Sequence, residues 1–233
     1  MKRVVRLGKE FVLWKYKLAT EYQGKDRVAL ASFPRSGNTW ARILIESATG
    51  QQTGSIYNDR VFQRGRNGIV IKTHSRDSFK YNKAIILVRN PLDAFASHYK
   101  WRKSFERHNK VVEREEHINR CISMWKNFYT HWSGLRYPNL VINFENLKSE
   151  TENNLKSIID FLEKDISANV IKEAIEESEI SKMRNDKESG SFGGNFFNSG
   201  KSNVGRTFFT TAELVKIQKG IGKIAEKHGY VIE

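Results

Sequence analysis

The chain has 233 residues, enough to bury one substantial core, and no composition break calls for a second domain. Its 40 Lys and Arg against 26 Asp and Glu give a net charge of +14, which favours anionic partners such as nucleotides, acidic glycans, nucleic acid or a lipid surface. Cys121 is the only cysteine, which excludes an intrachain disulfide or a cysteine-based metal cluster and fits a reducing, cytoplasmic setting.

Residues 1–27 form a basic N-terminal segment whose apolar residues are interrupted by charge. No run there approaches the ~20 residues of a membrane span, and a basic helix making peripheral contact with a membrane is its minority reading. Residues 28–233 are expected to form a single domain. Val28 to Phe33 is a short apolar run closed by Pro34, as in a strand buried on both faces. Asn38 stands as a helix N-cap before the helical stretch Trp40 to Ala48, which stops at Thr49-Gly50. Further strands are predicted at Ile69 to Thr73, Ala84 to Arg89 and Leu140 to Phe144. Helices are predicted from about Pro91 to Arg102, Glu115 to Gly134, Ser149 to Glu163, Ala168 to Met183 and Thr211 to His228. Residues Arg184 to Arg206, rich in Gly, Ser and Asn, make a connection long enough to be a ligand-ordered loop. Strands alternating with helices predict an α/β fold, a central parallel sheet flanked by helices on both faces.

In such a sheet, ligands collect where the carboxyl ends of the strands meet helix N-termini. The first strand ends in Pro34-Arg35-Ser36-Gly37-Asn38-Thr39-Trp40. There Gly37 permits close backbone approach, the next helix offers unpaired N–H groups, and Arg35, Ser36 and Thr39 add donors for phosphate oxygens. The second ends in Lys72-Thr73-His74, a cation and a titratable base two residues apart and therefore on one side. The third ends in Arg89, with Ser97 eight residues on in the following helix; the two could share a phosphate if the loop folds Arg89 back over that helix. A Walker-type loop is excluded: Gly200-Lys201-Ser202 lacks the earlier glycine, since Asn195 holds that position, and no buried strand precedes it. The six histidines, at 74, 98, 108, 117, 131 and 228, are scattered without the spacing of a metal site, so no metal is expected.

Taken together, these three strand ends resemble the sulfotransferase family that uses 3′-phosphoadenosine 5′-phosphosulfate (PAPS). That family carries a Pro-Lys/Arg-Ser-Gly-Thr/Asn-Thr-Trp loop, a Lys-Thr-His strand end and an Arg-Asn-Pro segment with Ser eight residues after the Arg. The resemblance extends through Val141 to Lys148 and Gly200 to Thr210, and within the family it is closest to the catalytic part of WSC-domain-containing sulfotransferases, which are associated with sialylated glycans. It implies a P-loop-like sulfotransferase fold and transfer of a sulfuryl group from PAPS to a carbohydrate hydroxyl, releasing PAP. A small-molecule alcohol or phenol is the alternative acceptor. Position by position, the resemblance puts Arg35, Ser36, Gly37, Asn38 and Thr39 on the 5′-phosphosulfate, Trp40 against the adenine, and Arg89 with Ser97 on the 3′-phosphate. It gives Lys72 to the transferring group, His74 to the acceptor proton, and Gly200, Lys201 and Arg206 to a late phosphate-binding loop. Asp59 and Asp77 are the carboxylates that would replace His74 as base.

Three departures from the family stand out. Arg35 replaces a common lysine and so stabilises a leaving oxygen without donating a proton. Phe144 replaces a tyrosine, and Asn198-Ser199 replace a basic pair. A non-catalytic nucleotide-binding scaffold and a nucleic-acid-binding module are the rivals from other classes. The second rests on the charge and on Trp101, Trp125, Tyr129 and Trp132, but those aromatics recur at core-face spacing, so packing accounts for them better than base stacking.

Overall fold

The computed structural model describes residues 27–57, 67–104, 113–178 and 204–232. Five strands form one all-parallel sheet: β1 (Val28–Ser32), β2 (Gly54–Ser55), β3 (Ile71–Thr73), β4 (Lys83–Val88) and β5 (Asn139–Asn143), in the order β2-β3-β1-β4-β5. Every β1 residue is buried, because helices cover both faces. Its alternation divides the core: Ala29 and Ala31 pack with Phe95, Trp125 and Ile217 on one face, while Val28 and Leu30 pack with Leu44, Leu155 and Ile158 on the other. Chain order reverses at β1, with β3 on one side and β4 on the other, and such a switch point opens a crevice at the strand's carboxyl end.

The described helices are α1 (Asn38–Thr49), α2 (Pro91–Lys103), α3 (Arg114–Trp132), α4 (Phe144–Ser149), α5 (Thr151–Phe161), α6 (Ala168–Glu177), α7 (Val204–Phe208) and α8 (Thr211–Lys227). The predicted strands and main helices are present, with instructive differences. The expected Ser149 to Glu163 helix is present as α5, and a separate short helix, α4, precedes it across Glu150, whose ψ of 52° departs from helical geometry. Phe144 opens α4 instead of closing β5. The two-residue strand β2 has no apolar alternation to announce it, yet Gly54 N–H bonds Val70 O at 2.8 Å and Ile69 N–H bonds Gln52 O at 2.9 Å. Helix α8 starts on a capping box in which the Thr210 hydroxyl accepts the Glu213 N–H and the Glu213 carboxylate accepts the Thr210 N–H. The Glu213 carboxylate also holds the Arg114 guanidinium, which keeps its pKa down at about 2.

Trp125, Tyr129 and Trp132 are fully buried, in line with their reading as core, whereas Trp101 is partly exposed. Among the described residues, no helix is long and apolar enough to cross a membrane. The basic segment 1–26, Asp59, and Gly200 with Lys201 lie outside the described residues.

Candidate active site

Four strand ends converge at the crevice. The turn after β1 is shaped by two left-handed residues, Arg35 at φ 68° and Gly37 at φ 87°. Gly37 needs that conformation, and a Cβ there would also overlap the Phe144 ring, so α4 packs directly on the loop. Arg35 adopts it without glycine's freedom, which marks a strained position at a site.

Asn38 was expected to cap α1, but Gly37 takes the cap position and the Asn38 side chain turns back into the sheet. Its Nδ2 donates to Leu30 O at 3.0 Å and to Ser32 Oγ at 3.2 Å. Thr39 is partly buried in the first turn of α1. Trp40 is buried: its indole N–H donates to Ser178 O at 3.1 Å and its ring meets Phe144 edge-on. Here Trp40 ties α1 to the end of α6.

Arg35 joins the two residues expected at the 3′-phosphate, Ser97 and Arg89. Its Nε donates to Ser97 Oγ at 3.2 Å, and Arg89 Nη1 donates to the Arg35 carbonyl at 3.0 Å. Arg89 and Ser97, expected to act as a pair, are therefore linked through Arg35. Burial and the neighbouring Arg89 charge lower the Arg35 pKa to about 10. Burial lowers that of Arg89 as well, while Asp93, Glu145 and Tyr230 oppose the shift. The Arg89 guanidinium lies 4.7 Å from the Phe144 ring centroid, a cation–π contact at the position where the family has a tyrosine. Arg89 Nε is buried without a hydrogen-bond partner among the described residues, and the buried Ser36 hydroxyl faces only Tyr129. A donor left over in this way, beside the N-terminus of α1, suits a phosphorylated nucleotide.

At the end of β3, the His74 ring is held by a hydrogen bond and a stacked neighbour, and its backbone by a third contact. Its Nδ1–H donates to the Ser32 carbonyl at 2.6 Å, since a carbonyl only accepts, and this leaves Nε2 with its lone pair. Tyr57 stacks on the ring at 5.5 Å, and its hydroxyl accepts the His74 backbone N–H at 2.9 Å. The Trp132 indole N–H holds the next turn by donating to Ser75 O at 3.0 Å. Burial, then the Lys72 charge, lowers the His74 pKa to about 4 against the opposing Ser32 bond, so the ring is neutral near pH 7. Lys72 sits in mid-strand opposite Leu30 of β1 and Ser55 of β2. Asp77, the described alternative base, forms an ion pair with Lys80 at 2.7 Å, and this pairing lowers its pKa.

Several supporting residues escaped sequence reasoning because their partners are far away in the chain. Glu145 accepts the Asn90 N–H at 3.1 Å and the Tyr230 hydroxyl at 2.6 Å. The Tyr129 hydroxyl donates to Leu87 O at 2.8 Å and accepts the Phe33 N–H at 3.3 Å, which stitches the ends of β1 and β4 together. Arg206 is exposed on α7, and Gly205 fastens that helix: its N–H donates to the buried Asp93 carboxylate at 2.6 Å, and a Cβ there would overlap the Leu92–Asp93 backbone.

The profile described as "Sulfotransferase domain" matches residues 69–229. The WSCD family member CG9164 of Drosophila melanogaster is 30% identical over 169 residues, covering 63% of this chain and 53% of its own length, so the chain spans about half of that relative. Mouse sulfotransferase SULT7A1 complexed with PAP superposes with a TM-score of 0.65 at 17% identity, over 88% of each chain. Retinol dehydratase in complex with androsterone and PAP has the same TM-score at 18% identity, over 91% of this chain and 85% of its own. At such identities, these two structures share the fold.

Proposed function

The chain belongs to the sulfotransferase domain family, and from that premise we propose that it transfers a sulfuryl group from PAPS to an acceptor hydroxyl and releases PAP. One observation carries this reading. Ser32, at the end of β1, accepts the base candidate His74 on its carbonyl and Asn38 on its hydroxyl, so the base and the phosphate loop hang from one residue.

PAPS would supply a sulfuryl group on a phosphate leaving group. Arg35, Ser36 and the first amides of α1 bind its phosphosulfate end, with Arg89 and Ser97 at its 3′-phosphate. His74 Nε2 accepts the acceptor's proton as the acceptor oxygen bonds to sulfur. Arg35 and Lys72 meet the negative charge that gathers on the phosphate oxygen as its bond to sulfur breaks. The low pKa of His74 keeps the lone pair available, and orientation by Ser32 and Tyr57 spares the entropy of finding the right geometry.

For the acceptor, a small-molecule alcohol or phenol has the better support, because one structure of this fold is described in complex with the steroid alcohol androsterone. A glycan is the second reading, favoured by the exposed Lys100 and Lys103 at the end of α2, which suit an anionic chain. The test is calorimetric PAP binding followed by sulfate transfer from labelled PAPS to steroid alcohols, phenols, neutral glycans and sialylated glycans. Sulfation of steroid alcohols or phenols ahead of glycans is expected. Tight PAP binding with no transfer to any class would refute the catalytic reading.

A further inference from the structure

Behind the phosphate loop, where α2 crosses α3, three potential metal ligands meet inside the protein. His98 comes from α2, while His117 and Cys121 stand one turn apart on α3, and all three are buried, Cys121 completely. Cys121 Sγ lies 3.6 Å from His98 Nδ1 and 3.3 Å from His117 Nε2, and one donor atom from each residue falls within 4.8 Å of the others. A cation bound at ~2.3 Å from sulfur and ~2.0–2.1 Å from nitrogen in tetrahedral geometry requires sulfur and nitrogen about 3.5 Å apart. The two observed separations bracket that value. The imidazole centroids are 5.1 Å apart and the planes are inclined by 28°, so a rotation of the rings brings both in-plane lone pairs onto one centre.

We propose that Cys121, His98 and His117 form a binding site for one thiophilic d10 cation, Zn²⁺ or Cu⁺, which clamps α2 to α3. Thiolate and imidazole together select such ions over magnesium or calcium. Without the cation the Cys121 thiol is protonated, since burial raises its pKa to about 12. Binding therefore forms a metal–sulfur bond and releases one proton to solvent, with no change of oxidation state. The two ions differ in charge balance. Cu⁺ with a thiolate and two neutral imidazoles is a neutral three-coordinate centre, which suits surroundings that include Arg102 and Arg120. Zn²⁺ leaves one positive charge and a fourth position for a water. Either ion would stiffen the loop from behind, because the Phe33 ring packs edge-on against His98, and the preceding residue, Ser97, receives the Arg35 hydrogen bond.

The full chain, stripped with a chelator and kept reduced, would be offered Zn²⁺ in one arm and Cu⁺ in the other. It would then be gel-filtered, its metal content measured and its melting temperature recorded. Retention of about one equivalent of one ion, with a rise of several degrees in melting temperature, is expected. Cobalt(II) used as a coloured stand-in should give a thiolate-to-metal charge-transfer band. Cys121→Ser and His117→Gln should each lose the retained metal and the temperature rise. Retention of neither ion, or retention that both variants keep, overturns the site. Should the variants fail to fold, absence from the wild-type chain of both the cobalt–thiolate band and an ultraviolet Cu⁺–thiolate band overturns it alone.

Discussion

The two halves of the candidate site are built on different principles. The phosphate half is a lattice of charged groups, in which Arg35 holds Ser97 and is held by Arg89, Arg89 rests on Phe144, and Glu145 fixes Asn90 and Tyr230. The base half is one neutral ring, aimed by a carbonyl, a stacked tyrosine and a backbone bond. Burial lowers the pKa of the basic groups in both halves, but with different outcomes. In the phosphate half it crowds cations together and raises their appetite for an anion. In the base half it keeps a histidine uncharged. One half binds and the other reacts, so loss of the base should stop turnover and leave binding intact.

The largest effect that would test this division is in turnover. His74→Ala should lower kcat by about 10²–10⁴-fold, the usual worth of a general base, with PAP affinity nearly unchanged by calorimetry. A parallel fall in PAP affinity would mean that the halves are not separable. Next comes Arg35→Gly, chosen because a φ of 68° suits glycine, so only the side chain is lost. Losing charged hydrogen bonds worth about 1.5–3 kcal/mol should weaken PAP roughly tenfold to a hundredfold. Unchanged PAP affinity would remove Arg35 from the phosphate half.

A smaller effect is expected from Tyr230→Phe, which strips Glu145 of a buried donor and should cost about 1–3 kcal/mol in denaturant unfolding. Smallest is the response to pH near neutrality. An ordinary histidine base would start losing activity near its usual pKa of about 6.5, but burial and the Lys72 charge lower that of His74 to about 4. The acidic limb of kcat should therefore begin well below that of an ordinary histidine, leaving the profile flat through pH 6.5. An inflection at an ordinary histidine value would show that His74 is more exposed or more strongly bonded than the geometry implies.

What could be read from the sequence follows from what is contiguous in it. The Pro34 to Trp40 loop, the Lys72 to His74 strand end and the Arg89 to Ser97 segment each follow an apolar strand, so period and punctuation locate them, and the parallel sheet follows from their alternation with helices. Asn38 was misjudged locally because an Asn before a helix reads as a cap, whereas the left-handed Gly37 supplies the turn and frees Asn38 for Ser32. Tyr57, Glu145 and Tyr230 were out of reach because their partners lie 17, 55 and 85 residues away, distances at which sequence spacing carries no signal. The same applies to the Cys121 cluster. One helical turn separates His117 from Cys121, but the third ligand arrives from another helix, so no linear motif spells the set.

Arg35 and Arg89 sit close enough for one to depress the pKa of the other, so the ligand-free site stores like-charge repulsion inside the fold. A phosphate settling there discharges it, and by mass action a ligand at a hundred times its Kd adds about 2.7 kcal/mol to stability. For a domain of ordinary marginal stability, that is a sizeable share of what separates folded from degraded chains. If the proposed cofactor binds here, a cell short of PAPS would not merely idle this protein; it would hold fewer copies of it.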